Sequence, residues 1–248
     1  MPQSTRASRR QRGGPAAPPP RKDPMRNVYI GFVALLVVVV AGFAFLHWQQ
    51  TREIEQAYAT PSPAASGVIP GKPIQLADGE SLGVPYFKLI GPSKLPVTPR
   101  GGMGQPIDGI ECATQEFVTL HVHSHLAIFD NGKQVQVPRG IGLAPVPPSG
   151  CLYWLHTHDA SGIIHVEAPR ISSPTGGPFN LGMFFDIWGE PLTATDVAGI
   201  KGPVTVYMDG VKYDGDARAI PLLSHQQIVL EVGTPPRTTP YYTFPSDD

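Results

Sequence analysis

Between Phe117 and Asp130 the chain alternates. Val118, Leu120, Val122, Ser124, Leu126 and Ile128 fall on one side, and Thr119, His121, His123, His125, Ala127 and Phe129 on the other. A period of two predicts a β-strand with one apolar face. Asn131-Gly132 follows, and Asn-Gly between alternating segments predicts a two-residue hairpin. In that register Ile128 faces Val135 and Leu126 faces Val137, so the return strand turns its valines to the same apolar side. Leu152–Val166 predicts a second hairpin around Asp159-Ala160-Ser161-Gly162, with His158 opposite Ile163, His156 opposite His165 and Trp154 opposite Glu167. Val204–Tyr213 predicts a third hairpin through Asp209-Gly210, and His225–Val232 a last strand. The segments IFDNGKQV and VYMDGVKY resemble each other, as a duplicated hairpin would. Asn180–Gly189 breaks the pattern: LGMFFDIW does not alternate, Asn180 can cap it and Gly189-Glu190-Pro191 stops it, which predicts a short helix. The expected class is mainly β, a small β-sandwich or partly open barrel with one or two short helices.

Upstream the pattern is different. Val28–Leu46 holds no charge over nineteen residues. At ~1.5 Å per residue this spans about 28 Å, close to the ~30 Å hydrocarbon core of a bilayer. Tyr29 and Trp48 stand where an interfacial aromatic belt would be. We therefore expect a transmembrane helix over 28–48, with Val28–Trp48 contacting lipid. Residues 1–27, rich in Arg, Pro, Gly, Ser and Ala, cannot bury enough apolar surface to order themselves and are expected to be a disordered basic tail. Residues 49–106 open with the polar, helix-like TREIEQAYA and continue as a Pro/Gly-punctuated stalk, with one short strand expected at Tyr86–Ile90. The folded domain is expected over 107–233. Residues 234–248 form a tail whose Tyr241, Tyr242 and Phe244 can dock on the domain.

Charge orients this arrangement. The formal net charge of the 248 residues is −1, yet the first 26 residues carry seven basic side chains and one acid. Between positions 47 and 71 Arg52 is the only basic residue. The positive-inside rule puts the N-terminus in the cytoplasm and the C-terminal domain outside the cell membrane, as in a single-pass signal-anchor protein. The alternative is a cleaved signal peptide. Ala57-Tyr58-Ala59 fits the small-x-small cleavage pattern, but the apolar run is longer than a usual signal h-region. The basic residues lie on the tail and not on the folded domain, so no nucleic-acid partner is expected. No protein partner is indicated. With 16% charged residues against an expected ~25%, and 27 glycines and 29 prolines, the chain is neither a coiled coil nor a helical repeat array.

The candidate chemistry lies in the histidines. Six of the eight fall in two clusters, His121, His123 and His125 in one and His156, His158 and His165 in the other. Spacing of i, i+2, i+4 on a strand aims side chains at one face, with neighbours about 6.6–6.8 Å apart, and a paired strand can add a third imidazole. Neutral imidazole suits zinc, copper, nickel and iron; copper or zinc is the expected ligand. The alternative is a solvated polar sheet face. Asp159 and Glu167 can bind the ion or orient an imidazole. Met103, Met183 and Met208 read as core, and His225 and His47 as structural and interfacial. Cys112 and Cys151 precede the two histidine-bearing strands. Outside the cytoplasm such a pair is expected to form a disulfide, with thiolate ligation as the alternative. No Gly-x-Ser-x-Gly elbow and no phosphate loop is present. A metal-binding module, a metalloenzyme with three histidines and a water, and an envelope interaction domain without metal all remain open on these residues.

The strings HVHSHLAIFDNGKQVQVP, CLYWLHTHDASGIIHVEAP, LGMFFDIWG and HQQIVLEVG together resemble a group of bacterial membrane-anchored proteins with H-x-H-x-H and LHTHDxSGIIHxE motifs. That resemblance covers about 107–233 and implies an extracytoplasmic domain without assigning an activity. LYWLHTHDASGIIH is similar to the His-x-His segments of cupredoxin-like multicopper oxidases. Here Cys151-x4-His156 lacks the methionine that would complete a blue-copper set.

Overall fold

The computed structural model describes residues 25–59, 101–146, 149–234 and 241–244. The expected basic tail up to residue 24, the stalk between 60 and 100 with its strand at Tyr86–Ile90, and Tyr241's neighbours at 235–240 and 245–248 lie outside the described residues. The chain divides into two units, Met1–Leu46 and His47–Asp248.

The described part of the first unit is helical from Arg26 and belongs to α1 (Arg26–Ala59), 34 residues without a break. Val38 and Phe43 on this helix are about as exposed as Leu46 and Phe32, so apolar side chains face outward all round. The most apolar 18-residue stretch of α1, with a mean hydropathy of 2.7 and no residue buried, makes the helix long and apolar enough to cross a membrane. The second unit begins with the last turns of α1, which continue the helix through the stretch expected to open the stalk. Ile54 and Tyr58, four residues apart on one helix face, are buried in the core of this unit. The Tyr58 hydroxyl accepts the backbone N–H of Phe179 at 2.8 Å.

The strands, in chain order, are β1 (Cys112–Ala113), β2 (Leu120–Asp130), β3 (Lys133–Val135), β4 (Leu143–Ala144), β5 (Cys151–Tyr153), β6 (Leu155–His156) and β7 (Ile163–Ala168). They continue as β8 (Leu192–Thr193), β9 (Asp196–Val197), β10 (Ile200–Lys201), β11 (Val204–Met208), β12 (Val211–Tyr213) and β13 (Gln227–Val232). One helix, α2 (Leu181–Trp188), and a 3-10 turn at Ala217–Ala219 interrupt them. The class is mainly β, as the alternation predicts. Seven strands form one mixed sheet in the order β12-β11-β13-β2-β7-β6, with β3 also on β2. Two three-stranded sheets, β1-β5-β4 and β10-β9-β8, complete the domain.

The Asn131-Gly132 and Asp209-Gly210 turns form as their sequences require. Asp130 pairs with Lys133 and Met208 with Val211. Asn131 and Gly132 have φ of 49° and 79°, and Asp209 and Gly210 have 51° and 77°, the left-handed pair of a type I′ turn. Ile128 faces Val135 in the expected register. The helix is bounded as predicted: Asn180 accepts the Met183 N–H at 3.1 Å, and Gly189 closes the C-terminus in the left-handed region.

Three expectations are corrected. The first strand starts at Leu120 and not at Phe117, and Val118 is among the most exposed apolar residues because it precedes the sheet. The second hairpin has the predicted register, Leu155 to Val166 and His156 to His165, but not its tight turn. Thr157 donates instead to Ile141 and the chain leaves the sheet, while Ile163 pairs with His125. The last strand starts at Gln227, because His225 adopts a left-handed φ of 56° that ends strand geometry. β13 also inserts between β11 and β2, and it runs parallel to β2. Local patterning gives no sign of such a long-range parallel pair, whose connection needs no turn signal.

One face of the large sheet carries Leu120, Leu126, Ile128, Ile164, Val166, Ile228 and Leu230 against α2, Tyr153, Leu155 and Phe179, all buried. Every residue of α2 except Asp186 is buried. Met183 is in this core, and Met103 and Met208 pack against it. The cysteines form the expected Cys112–Cys151 disulfide, with Cα atoms 5.3 Å apart, so thiolate ligation is ruled out. Replacing both cysteines by alanine should cost up to about 4 kcal/mol, the chain-entropy value for a loop of this size, read by denaturant unfolding of the full chain in detergent. A loss below about 1 kcal/mol would show that the unfolded chain is already constrained there.

The opposite face carries a second apolar group, Ala127, Phe129 and Val229 with Tyr207 packed on it. Glu231 lies on the same face, opposite Phe129 and Thr205. It is buried, and its Oε2 accepts no hydrogen bond among the described residues. Burial pushes its pKa up to about 7. Folding thus retains a proton that the unfolded chain releases near 4.5, so the contribution is full below 4.5 and is lost as the pH rises through 7. Glu231→Gln removes this dependence. Between about pH 4.5 and about pH 7.5 it should gain on the order of 1–3 kcal/mol relative to the parent. Parallel stability curves for the two proteins would mean that Glu231 is ionised in the fold.

Candidate metal centre

The pairing of β2, β7 and β6 sets histidines in a row across three strands. His123 faces His165, and His165 faces His156. His121 and Glu167 face each other in the next row. Alternation along each strand turns all five away from the core face. His158 lies two residues beyond His156, past the end of β6, and its ring folds back: the two Nε2 atoms are 3.1 Å apart. Ring centroids are 4.4 Å apart for His123 and His165, 4.5 Å for His158 and His165, and 5.0 Å for His121 and His123.

The ligand atoms fall into two groups. One takes a single atom from each of His121, His123, His165 and Glu167, all within 4.8 Å of one another. The other takes His156, His158, His165 and Glu167 within the same limit. Four donors around zinc or copper at about 2.0–2.1 Å lie some 3.3 Å apart when tetrahedral, so each group needs only a modest contraction to close on an ion. His165 and Glu167 belong to both.

Hydrogen bonds set the imidazoles' tautomers. His156 Nδ1 is 2.9 Å from the carbonyl of Tyr153. A carbonyl only accepts, so Nδ1 carries the proton and Nε2 presents its lone pair to the cluster. His165 Nδ1 is 3.1 Å from Glu167 Oε1, and donation to the carboxylate leaves its lone pair on Nε2. His121 Nε2 lies 3.3 Å from the same Oε1. Glu167 Oε2 accepts no hydrogen bond among the described residues, and His156 Nε2 is 3.9 Å away.

Burial and mutual repulsion keep the inner rings neutral. Burial lowers His123 to about 4, helped by His165 and His121. Burial lowers His156 to about 4 against the pull of Glu167. Burial alone would raise Glu167, but the hydrogen bond from His165 and the charges of His156 and His121 outweigh it and hold the carboxyl below its ordinary value. At neutral pH His123 and His156 are therefore uncharged, beside one carboxylate, and such donors suit transition metals. The side chains of His121 and His158 are 43% and 45% exposed, so the cluster opens to solvent at these two rings.

The other sequence candidates lie elsewhere. His125 is buried outside both groups. Its Nε2 is 3.0 Å from the Ser161 carbonyl, and its ring stacks on Tyr242 at 4.0 Å. Burial lowers its pKa to about 3. The Asp159 carboxylate accepts the Ser161 N–H at 2.8 Å in the turn and is in neither group. Glu167, an orienting candidate from the sequence, is instead central. Tyr242 and Phe244 dock as the tail was expected to, with the Gln227 amide bonded twice to the Tyr242 backbone and Phe244 stacked on His225. His225 donates its backbone N–H to the His123 carbonyl at 2.7 Å. Two contributors have no sequence signal: Glu116, whose Oε1 is 3.2 Å from His158 Nε2, and the Tyr153 carbonyl. Glu116 lies forty-two residues before its partner in an unpatterned segment.

The chain matches no known protein-family model, no curated protein and no solved structure.

The site depends on close approach of its surroundings. Gly142 has φ of +76°, and a Cβ there would meet the Leu155 carbonyl and lie 2.9 Å from His156 Cβ. Gly142→Ala should destabilise the domain by on the order of 1–3 kcal/mol. It should shift the His156 ring resonances more than those of His121. Unchanged stability and spectra would show that β6 tolerates the displacement.

Proposed function

We propose that the β domain is a transition-metal-binding module, presented outside the cytoplasm by a single-pass anchor and loaded with copper or zinc. The observation that carries this reading is the convergence of five imidazoles and one buried carboxylate, from three neighbouring strands and the segment after β6, in two overlapping groups each within 4.8 Å. Two facts add support. The inner rings, lowered to about 4, do not titrate between pH 5 and 8 as a histidine pH sensor must. The hydrogen bonds within the cluster also leave acceptor capacity unused, Glu167 Oε2 above all among the described residues, which a cation can take up. The location rests on α1 as a membrane span, on the basic residues before it, and on the disulfide, which persists in oxidising compartments.

The test is metal content of the full chain purified in detergent. The parent protein should retain copper or zinc through desalting, and His47→Ala, remote from the cluster, should retain the same amount. Loss of an outer partner costs about 10–100-fold in metal affinity, so removal of a direct ligand by His156→Ala should cost at least that. A parent protein without bound metal, or equal loss in both variants, refutes the assignment.

A further inference from the structure

We infer that the centre holds two metal ions bridged by the Glu167 carboxylate, an inference that rests on the metal-binding reading above and extends it. Six donor residues are present, but they form two groups and not one. A single ion with bonds of about 2.0–2.1 Å cannot reach donors more than about 4.2 Å apart. An ion taken up by His156 and His158, whose Nε2 atoms are already 3.1 Å apart, leaves His121 and His123 without a role.

Glu167 shows how the second pair is used. Its two oxygens are divided between the two histidine pairs. Oε1 is 3.3 Å from His121 Nε2, whereas Oε2 faces His156 Nε2 at 3.9 Å and accepts no hydrogen bond among the described residues. The side chain is only 2% exposed, so bulk solvent does not reach that oxygen. A carboxylate with each oxygen directed at a different set of nitrogens is the geometry of a bridge, and bridged pairs stand about 3.5–4 Å apart. His165 lies between the pairs, with ring centroids 4.4 Å from His123 and 4.5 Å from His158, and completes the coordination of one ion. The other has His121, His123 and Glu167, with room for solvent at the half-exposed His121 ring. Two adjacent dications repel, and the shared carboxylate offsets part of that repulsion. Binding is therefore stepwise, the first ion entering the His156/His158/His165 set, where two Nε2 atoms already lie 3.1 Å apart.

The experiment titrates Cu²⁺ into the metal-free full chain in detergent, removes excess by desalting, and counts copper per chain while recording the electron paramagnetic resonance spectrum. The expected result is two ions per chain. The second equivalent should broaden or quench the signal of the first, because the spins are a few ångströms apart. His121→Ala, on a half-exposed ring that folding does not need, should bind one ion with an uncoupled spectrum. Glu167→Gln should likewise lose the spin coupling, and circular dichroism of both variants reports whether the fold is kept. One ion in the parent protein overturns the two-ion centre and leaves the metal-binding reading standing. Two uncoupled ions, or two ions retained in His121→Ala, place the second copper elsewhere and also overturn it. No bound copper in the parent overturns the two-ion centre, and only if zinc is not retained either does the metal-binding reading fall with it.

Discussion

The antiparallel pairing of β2 with β7 decides which side chains meet, and the apolar core decides that pairing. Leu120, Val122, Ile164 and Val166 share the buried side of the sheet, so the opposite side receives His121, His123, His165 and Glu167. A slip of one residue would turn aliphatic side chains outward and imidazoles into the core, at several kcal/mol for each misplaced group. The positions of the ligands are thus enforced by hydrophobic burial at residues that never touch a metal. β6 adds His156 to the same row because Leu155, its neighbour, must occupy the core.

This arrangement has an unfavourable side. Glu167 is nearly inaccessible, yet only one of its oxygens is hydrogen-bonded among the described residues. Burying a carboxylate costs free energy unless it is paired, and of its partners here His156 is kept neutral by burial. The metal-free centre is therefore a set of hydrogen-bonded imidazoles around a half-satisfied carboxylate, held by the disulfide-linked strands and the packed sheet around it. Such preorganisation places the desolvation cost on folding, so that less is left to oppose binding.

Much of this was legible in the sequence where a local rule applied. The alternation of Leu120–Asp130, the Asn-Gly and Asp-Gly turns, the Asn180 cap and the Gly189 stop each act over a few residues, and each appears in the structure. So does the facing of His156 and His165, because a register centred on Ala160-Ser161 holds however wide the connecting loop opens. What failed was of longer range. The parallel insertion of β13 depends on pairing across some ninety residues of chain. The departure of Thr157 towards Ile141 depends on an acceptor from another sheet region. Spacing also could not separate His125 from His121 and His123, since all three share one face. What sets it apart is the Ser161 carbonyl and the stacked Tyr242 ring, neither visible as a pattern.

The last turns of α1 bear on where the domain can be cut. Ile54 and Tyr58 are core residues, and the Tyr58 hydroxyl holds the Phe179 N–H next to the helix that floors the sheet. A fragment starting at residue 60, the natural choice from composition, would carry a hole of two side chains and an orphaned buried amide. Large-to-small changes in cores cost roughly 2–5 kcal/mol each, and a lost partner for a buried donor adds about 1–3 kcal/mol. A fragment that keeps this domain intact needs the helix from His47 onward, so the C-terminal end of α1 is as much a piece of the folded domain as any of its strands.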